Sequence, residues 1–271
     1  MRMWVLGSGS RGNAVLLECG ESRVLIDAGF AAGTIAKRMR AIGVAPESLE
    51  GVVITHEHTD HVRGAAAGAK RYGWKLHATR GTIGACDDLA DAHTQAFTAG
   101  ATLHFTWLDL LTVGSSHDAA DPIALVATAR ASGARIGIAY DLGCATSPVR
   151  RALTQLDVLL LESNHDEGML RTGPYPWYLQ QRIASRTGHL SNHAAGELAS
   201  ECTHRSLGDV VLAHLSEINN DPALATKAMK WSLRRTLFRG RVTASAQREV
   251  VGPFGPGSVP GAGSTQLALS L

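Results

Sequence analysis

Along the first 245 residues, short apolar runs alternate with polar turns and with stretches of helical period. MWVLG (3–7), AVLLE (14–18) and RVLID (23–27) read as strands, with the glycine-rich turn SGSRGN (8–13) between the first two. Between residues 31 and 42, Ile35, Met39 and Ile42 fall on one helical face. VVIT (52–55) is a buried strand, and a helix starts after Asp60. The middle is strand-rich, with TLHF (102–105), LLTV (110–113), IALVATA (123–129) and RIGIAY (135–140). Helix and strand then alternate: helix 147–155, strand VLLLE (158–162), helices near 175–186 and 191–201, strand DVVLA (209–213), helix 222–237 and a last strand RVTAS (241–245). This interspersion predicts one layered α/β domain over residues 1–250. Two facing sheets with helices outside fit the pattern, and so does a doubly wound single sheet. Residues 251–271, including GPFGPGSVPGAGST (252–265), read as a Gly/Pro/Ser-rich disordered tail. No internal repeat of fixed period is present.

Composition narrows the class. Apolar residues at 45% and charged residues at 18% fit a soluble globular protein. No apolar run approaches the roughly 20 residues a membrane helix needs. The N-terminus MRMWVLGSGSRGN lacks the features of a signal peptide. Cys19, Cys86, Cys144 and Cys202 are scattered and form no CxxC pair, which reads as reduced thiols in a cytoplasmic protein; their even number leaves a disulfide open. The net charge of +2 neither announces a nucleic-acid binder nor excludes a local basic groove.

The twelve histidines change the picture. In VVITHEHTDHVRG (52–64) an apolar run stops and three histidines and two acids follow within six residues. His56 and His58 are two apart, so in extended backbone both imidazoles reach one ion. Asp60 and His61 follow where the helix begins and can turn toward a second ion. A strand end suits this task because it is rigid and opens onto a cleft. Imidazole nitrogen and carboxylate oxygen suit Zn²⁺ or a similar transition ion. Further ligand types end other apolar runs: His117 in SSHDAADP, Asp141 after RIGIAY and His214 after DVVLA.

HxHxDH, then a single His, an Asp and a final His resemble the ligand pattern of the metallo-β-lactamase-fold hydrolases over residues 1–245. GSGSRGNAVLLE, THEHTDHVRG, HDAADP, YDLG, ESNHD, GHLSN and LAHLSEINN resemble its YycJ/VicX branch. The resemblance implies a four-layer αββα sandwich with two divalent metal ions (Zn²⁺ or Mn²⁺) at one edge. It implies that His56, His58 and His117 hold one metal, that Asp60, His61 and His214 hold the other, and that Asp141 bridges them. Asp118 competes with its neighbour His117 for the third motif.

Two close cations lower the pKa of bound water from 15.7 toward roughly 7, and the resulting metal-bound hydroxide attacks phosphorus or a carbonyl carbon. Asp60 orients the attacking water. His189 in TGHLSNH resembles the histidine that serves as general acid in RNase Z-like phosphodiesterases. Asn164, His165 and Asn192 are candidate substrate contacts, or hold the ligands from behind; His193 is a further one. Asn164 or Asp166 also suits a helix N-cap. Asn13 reads as part of a tight turn, and Asp27 as structural. His77, His93, His104 and His204 carry no motif.

The branch resemblance implies a DNA substrate and 5′-to-3′ exonuclease activity. Lys70/Arg71, Arg150/Arg151, Arg171, Arg182/Arg186 and Arg234/Arg235 are candidates for a phosphate path. Aromatic residues make up only 5%, and Trp177 in YPWYL is the best candidate for base stacking. The alternatives are a small-molecule (cyclic) phosphodiesterase and a thioester or lactam hydrolase of the same fold. A metal-stabilised, non-catalytic regulator is a further class, disfavoured because every expected ligand is present.

Overall fold

The computed structural model describes residues 1–257. Fourteen strands are formed among them. The N-terminal half supplies β1 (Arg2–Gly7), β2 (Ala14–Cys19), β3 (Ser22–Ile26), β4 (Gly51–Val53), β5 (Leu76–Thr79) and β6 (Gln95–Phe97). The rest supplies β7 (Thr102–His104), β8 (Leu108–Gly114), β9 (Ile123–Ala129), β10 (Arg135–Ala139), β11 (Val158–Glu162), β12 (Asp209–Ala213), β13 (Arg241–Ala244) and β14 (Val251–Phe254). They make two mixed sheets, ordered β14-β1-β2-β3-β4-β5-β6 and β13-β12-β11-β10-β9-β8-β7. Each sheet runs from antiparallel pairs into parallel ones, the change falling at β3 in one and at β10 in the other.

Three apolar layers establish the sandwich. Val5, Val15, Ile26, Leu125, Ile136 and Leu160 pack between the sheets. Leu16, Leu25 and Ile54 meet Ile35 and Met39 of the helix Ala32–Ala41 on one outer face. Leu159, Leu161 and Leu212 meet Leu198 of the helix Asn192–Cys202 and Met229 of the helix Pro222–Leu233 on the other. Of the two architectures open at the sequence level, this is the four-layer αββα arrangement. β11 and β12 are buried at every position, which explains their unbroken apolar runs: both faces of a parallel strand are covered here.

Several elements differ from the sequence reading. Val251–Phe254, assigned above to a disordered tail, pair with β1 instead: Met3 opposes Phe254, and Phe254 is 1% exposed. The domain therefore extends past residue 250, and residues 258–271 of the expected tail lie outside the described residues. The helix expected near 175–186 is the shorter Trp177–Ile183, and a further short helix, Glu167–Thr172, precedes it across a turn holding Pro174 and Pro176. A proline ring cannot continue a helix, so the pattern breaks there. The helix after residue 222 stops at Leu233. None of the four cysteines is paired. Among the described residues, no helix is long and apolar enough to cross a membrane.

Candidate metal centre

Strand ends that meet at one edge of the sandwich deliver the polar residues. The chain leaves β4 extended through His56 and His58, then turns into the helix Thr59–Val62, which carries Asp60 and His61. β8 leads to His117, β10 to Asp141 and β12 to His214. Asp27, Asp141 and His214, each just past a strand end, hold left-handed backbone at φ 60°, 54° and 53°. Such conformations are costly for residues with a Cβ and persist where surrounding contacts impose them.

The structure brings together all seven residues expected to bind metal. Ligand atoms of His56, His58 and His117 lie within 4.8 Å of one another, as do those of Asp60, His61 and His214. Asp141 joins the two sets through a group with His56 and His61 that meets the same limit. Asp118 also lines the cleft, with its Oδ1 3.3 Å from His117 Nε2, while its Oδ2 accepts from Arg182 Nε at 2.6 Å. His117 is the member of that pair that groups with His56 and His58.

The hydrogen bonds behind these residues determine which atoms face inward. His117 Nδ1 donates to the Gly188 carbonyl at 3.0 Å, so its Nε2 keeps a lone pair 3.2 Å from His58 Nδ1. His61 Nδ1 donates to Asp27 Oδ2 at 2.7 Å, so its Nε2 faces Asp141 Oδ2 at 2.8 Å. Asp27 also accepts from Thr55 N at 2.7 Å and from the Tyr140 hydroxyl at 2.6 Å, which locks the carboxylate. The buried His56 Nε2 has no hydrogen-bond partner, and Asp141 Oδ2 has none of good geometry despite its close nitrogen neighbour. Lone pairs crowded together without protons between them are what a cation site requires. The residues present fit divalent metal ions.

The charges couple strongly. Burial would raise the Asp60 carboxyl, yet His61 and His214 hold it well below the ordinary carboxylate range. Burial pushes His56 and His117 down, which keeps both imidazoles neutral and able to ligate. Burial would lower His189 too, but Glu162 and Asp141 raise it to about 10.

Three contributors escaped the sequence reading. Glu162, fully buried at the end of β11, accepts from Leu142 N at 2.8 Å and Leu190 N at 3.0 Å through one oxygen. Its other oxygen accepts from His189 Nδ1 at 2.7 Å. Asp141, Glu162, His189 and His214 also form a group within the 4.8 Å limit. These three donors hold its carboxylate, which orients the His189 ring. Asp27 was read as structural; it is the carboxylate that orients His61. Asn13 closes its turn by accepting from Gly9 N at 3.1 Å, and it also donates to Asp60 Oδ2 at 3.3 Å. The signal for Glu162 was a charged residue ending an all-apolar strand.

The remaining expected residues separate. His189 lines the cleft and caps no helix; Ser191 caps Asn192–Cys202, and Asp166 caps Glu167–Thr172. Asn164 lines the cleft and donates to the His214 carbonyl at 3.0 Å. His165 and Asn192 are buried and do not line it; Asn192 Oδ1 accepts from Ser163 Oγ at 2.6 Å and Asn192 bonds to Asn220. His193 is exposed beside Glu197. Of the arginines considered for a phosphate path, Arg182 lines the cleft. The cleft encloses ≈ 240 Å³ over His58, Asp60, Asp141, His189 and His214.

The model of the metallo-beta-lactamase superfamily matches residues 7–125. The chain is 34% identical over 235 residues to the protein named exodeoxyribonuclease WalJ of Streptococcus pneumoniae, covering 83% of this chain and 85% of that one. It is 29% identical over 238 residues to exodeoxyribonuclease YycJ of Bacillus anthracis, covering 86% and 89%. Among solved structures, the metallo-beta-lactamase fold protein YhfI from Bacillus subtilis superimposes with a TM-score of 0.70 at 19% identity, covering 92% of this chain and 99% of that one. Human tRNase Z, short form, superimposes with a TM-score of 0.63 at 16% identity, covering 93% and 99%. At these identities the two structures speak for the fold.

Proposed function

The chain belongs to the metallo-β-lactamase superfamily of metal-dependent hydrolases, and from that premise we propose that it is a dinuclear phosphodiesterase that degrades DNA from an end. The observation that carries the reading is the double set of inward-facing donors around Asp141, with the His56 Nε2 lone pair left without a partner. The DNA substrate is supported by the names of the two relatives. A 5′-to-3′ polarity and a cytoplasmic location belong to the same proposal.

In this reading His56, His58 and His117 would hold one Zn²⁺ or Mn²⁺ ion, Asp60, His61 and His214 the other, and Asp141 both. The pair, when bound, supplies a water activated at neutral pH and positive charge for the reacting oxygens. The protein's own part is geometric. Asn13 donates to Asp60 Oδ2 and so holds the carboxylate that faces the cleft. Glu162 holds the His189 ring by Nδ1, which leaves Nε2 to deliver a proton to the departing alkoxide. Asn164 ties down His214 through its backbone carbonyl.

The test is digestion of 5′-phosphorylated double-stranded DNA with Mn²⁺ or Zn²⁺ added, beside bis(p-nitrophenyl) phosphate. Processive shortening from the 5′ end by the native protein, and none by Asp60→Ala, is the expected result. The small volume of the cleft favours a second reading, a small-molecule (cyclic) phosphodiesterase. Cleavage of the small diester alone would decide for it. Cleavage of neither by protein holding two metals would overturn the phosphodiesterase reading in favour of thioesters or lactams.

A further inference from the structure

The helix Trp177–Ile183 buries none of its residues, although Trp177, Tyr178, Leu179 and Ile183 are large and apolar or aromatic. A surface helix ordinarily hides such a stripe against the core. Here Leu179, Arg182 and Ile183 line the catalytic cleft, together with Tyr175 just before the helix. Trp177 and Tyr178 stand 73% and 70% exposed. Tyr178 and Arg182 are four residues apart, so they share one face. Trp177 lies roughly 160° around the helix from Leu179, on the side away from the cleft. The segment 168–189 contains Arg171, Arg182 and Arg186 and no acidic residue. Interleaved cations and aromatics, continuous with a hydrolytic cleft, complement a polyanion that carries stacking faces.

Resting on the nuclease reading, we propose that Tyr178 and Arg182 form a nucleotide subsite. The Tyr178 ring stacks on the base beside the scissile phosphodiester, and Arg182 exchanges the Asp118 carboxylate, held at 2.6 Å, for an adjoining phosphate. Stacking on a phenol ring reads no base identity, so the subsite grips any sequence. It also explains how a cleft too small for several nucleotides holds a strand: the base lies outside, along the helix.

The experiment compares an oligonucleotide with a twin carrying abasic sites in its two terminal nucleotides at each end. Native protein should show a KM roughly 10-fold or more lower for the base-bearing strand, the size expected of one stacked base. Tyr178→Ala should erase that preference, and Tyr178→Phe should keep it, because the ring and not the hydroxyl stacks. Arg182→Gln should flatten the slope of log(kcat/KM) against log salt by about 0.7, one phosphate on a single strand. DNA cleavage with no preference in the native protein, or a preference surviving in Tyr178→Ala, overturns the stacking site. An unchanged salt slope in Arg182→Gln overturns its phosphate contact. Failure of native protein to cleave either strand overturns the nuclease reading itself and takes the subsite with it.

Discussion

His189 shows how much a single residue's role depends on its partner. Alone in TGHLSNH it is a histidine before a helix; held by Glu162 at 2.7 Å it has one ring nitrogen committed and one free. In Glu162→Gln the amide oxygen stays with the Leu142 and Leu190 N–H donors and the amide nitrogen faces His189, so Nδ1 can no longer donate there. We expect kcat to fall by at least ~100-fold, as for loss of a general acid, with two metals still bound by elemental analysis. Loss of metal in that variant would instead move Glu162 into the ligand set. His189→Ala should likewise slow turnover with metal retained. The candidate metal-binding string His56, His58, Asp60, His61 was legible because its members are neighbours in sequence. Glu162 was not, because its meaning lies in a contact 27 residues away, and Asp27 escaped for the same reason, acting on His61 from 34 residues away.

At the scale of elements, the site depends on how closely the strand ends approach. Gly29 follows β3 directly under the helix Thr59–Val62, where its N–H donates to Asn13 O at 2.9 Å. A Cβ at Gly29 would stand 1.7 Å from the Asp60 carbonyl oxygen, a distance only movement of the backbone can relieve. Gly29→Ala should displace the segment that carries Asp60 and His61. The expected readout is metal affinity weakened by roughly 10- to 100-fold, the range seen when the groups supporting ligands are disturbed; unchanged affinity by calorimetric titration would show that the segment is not held there. The strand and helix positions around this junction followed from hydrophobic period. β5 and β6 did not: they are four and three residues long, too short to carry a period. The tail was misjudged at Val251–Phe254 because glycine and proline suggested a loop, whereas an edge position beside β1 tolerates proline.

For the whole molecule, two sheets enclosing one apolar layer make the rigid frame, and the candidate ion site is built at its rim. Leu160, fully buried between the sheets, should cost about 2–5 kcal/mol when replaced by alanine, lowering Tm by roughly 5–15 °C without altering metal content. Chelation should act the other way round: the core is untouched, but ligands that attract cations lose them. For each ion bound at about 1,000 times Kd the loss is about 4 kcal/mol, a fall in Tm of roughly 10 °C per ion, reversed by adding Mn²⁺ or Zn²⁺. A Tm indifferent to chelator would contradict the assignment of these side chains to metal. By itself the sequence determined the α/β class, the candidate ligand types and their order along the chain, because alternation of apolar runs and the spacing of neighbouring histidines are local properties. Only the tertiary structure decided that His117 groups with His56 and His58 while Asp118 is held by Arg182, that Glu162, Asp27 and Asn13 support the site, and that an exposed aromatic helix flanks the cleft. Those facts depend on contacts between residues far apart in the chain, which the two sheets create when they close on each other.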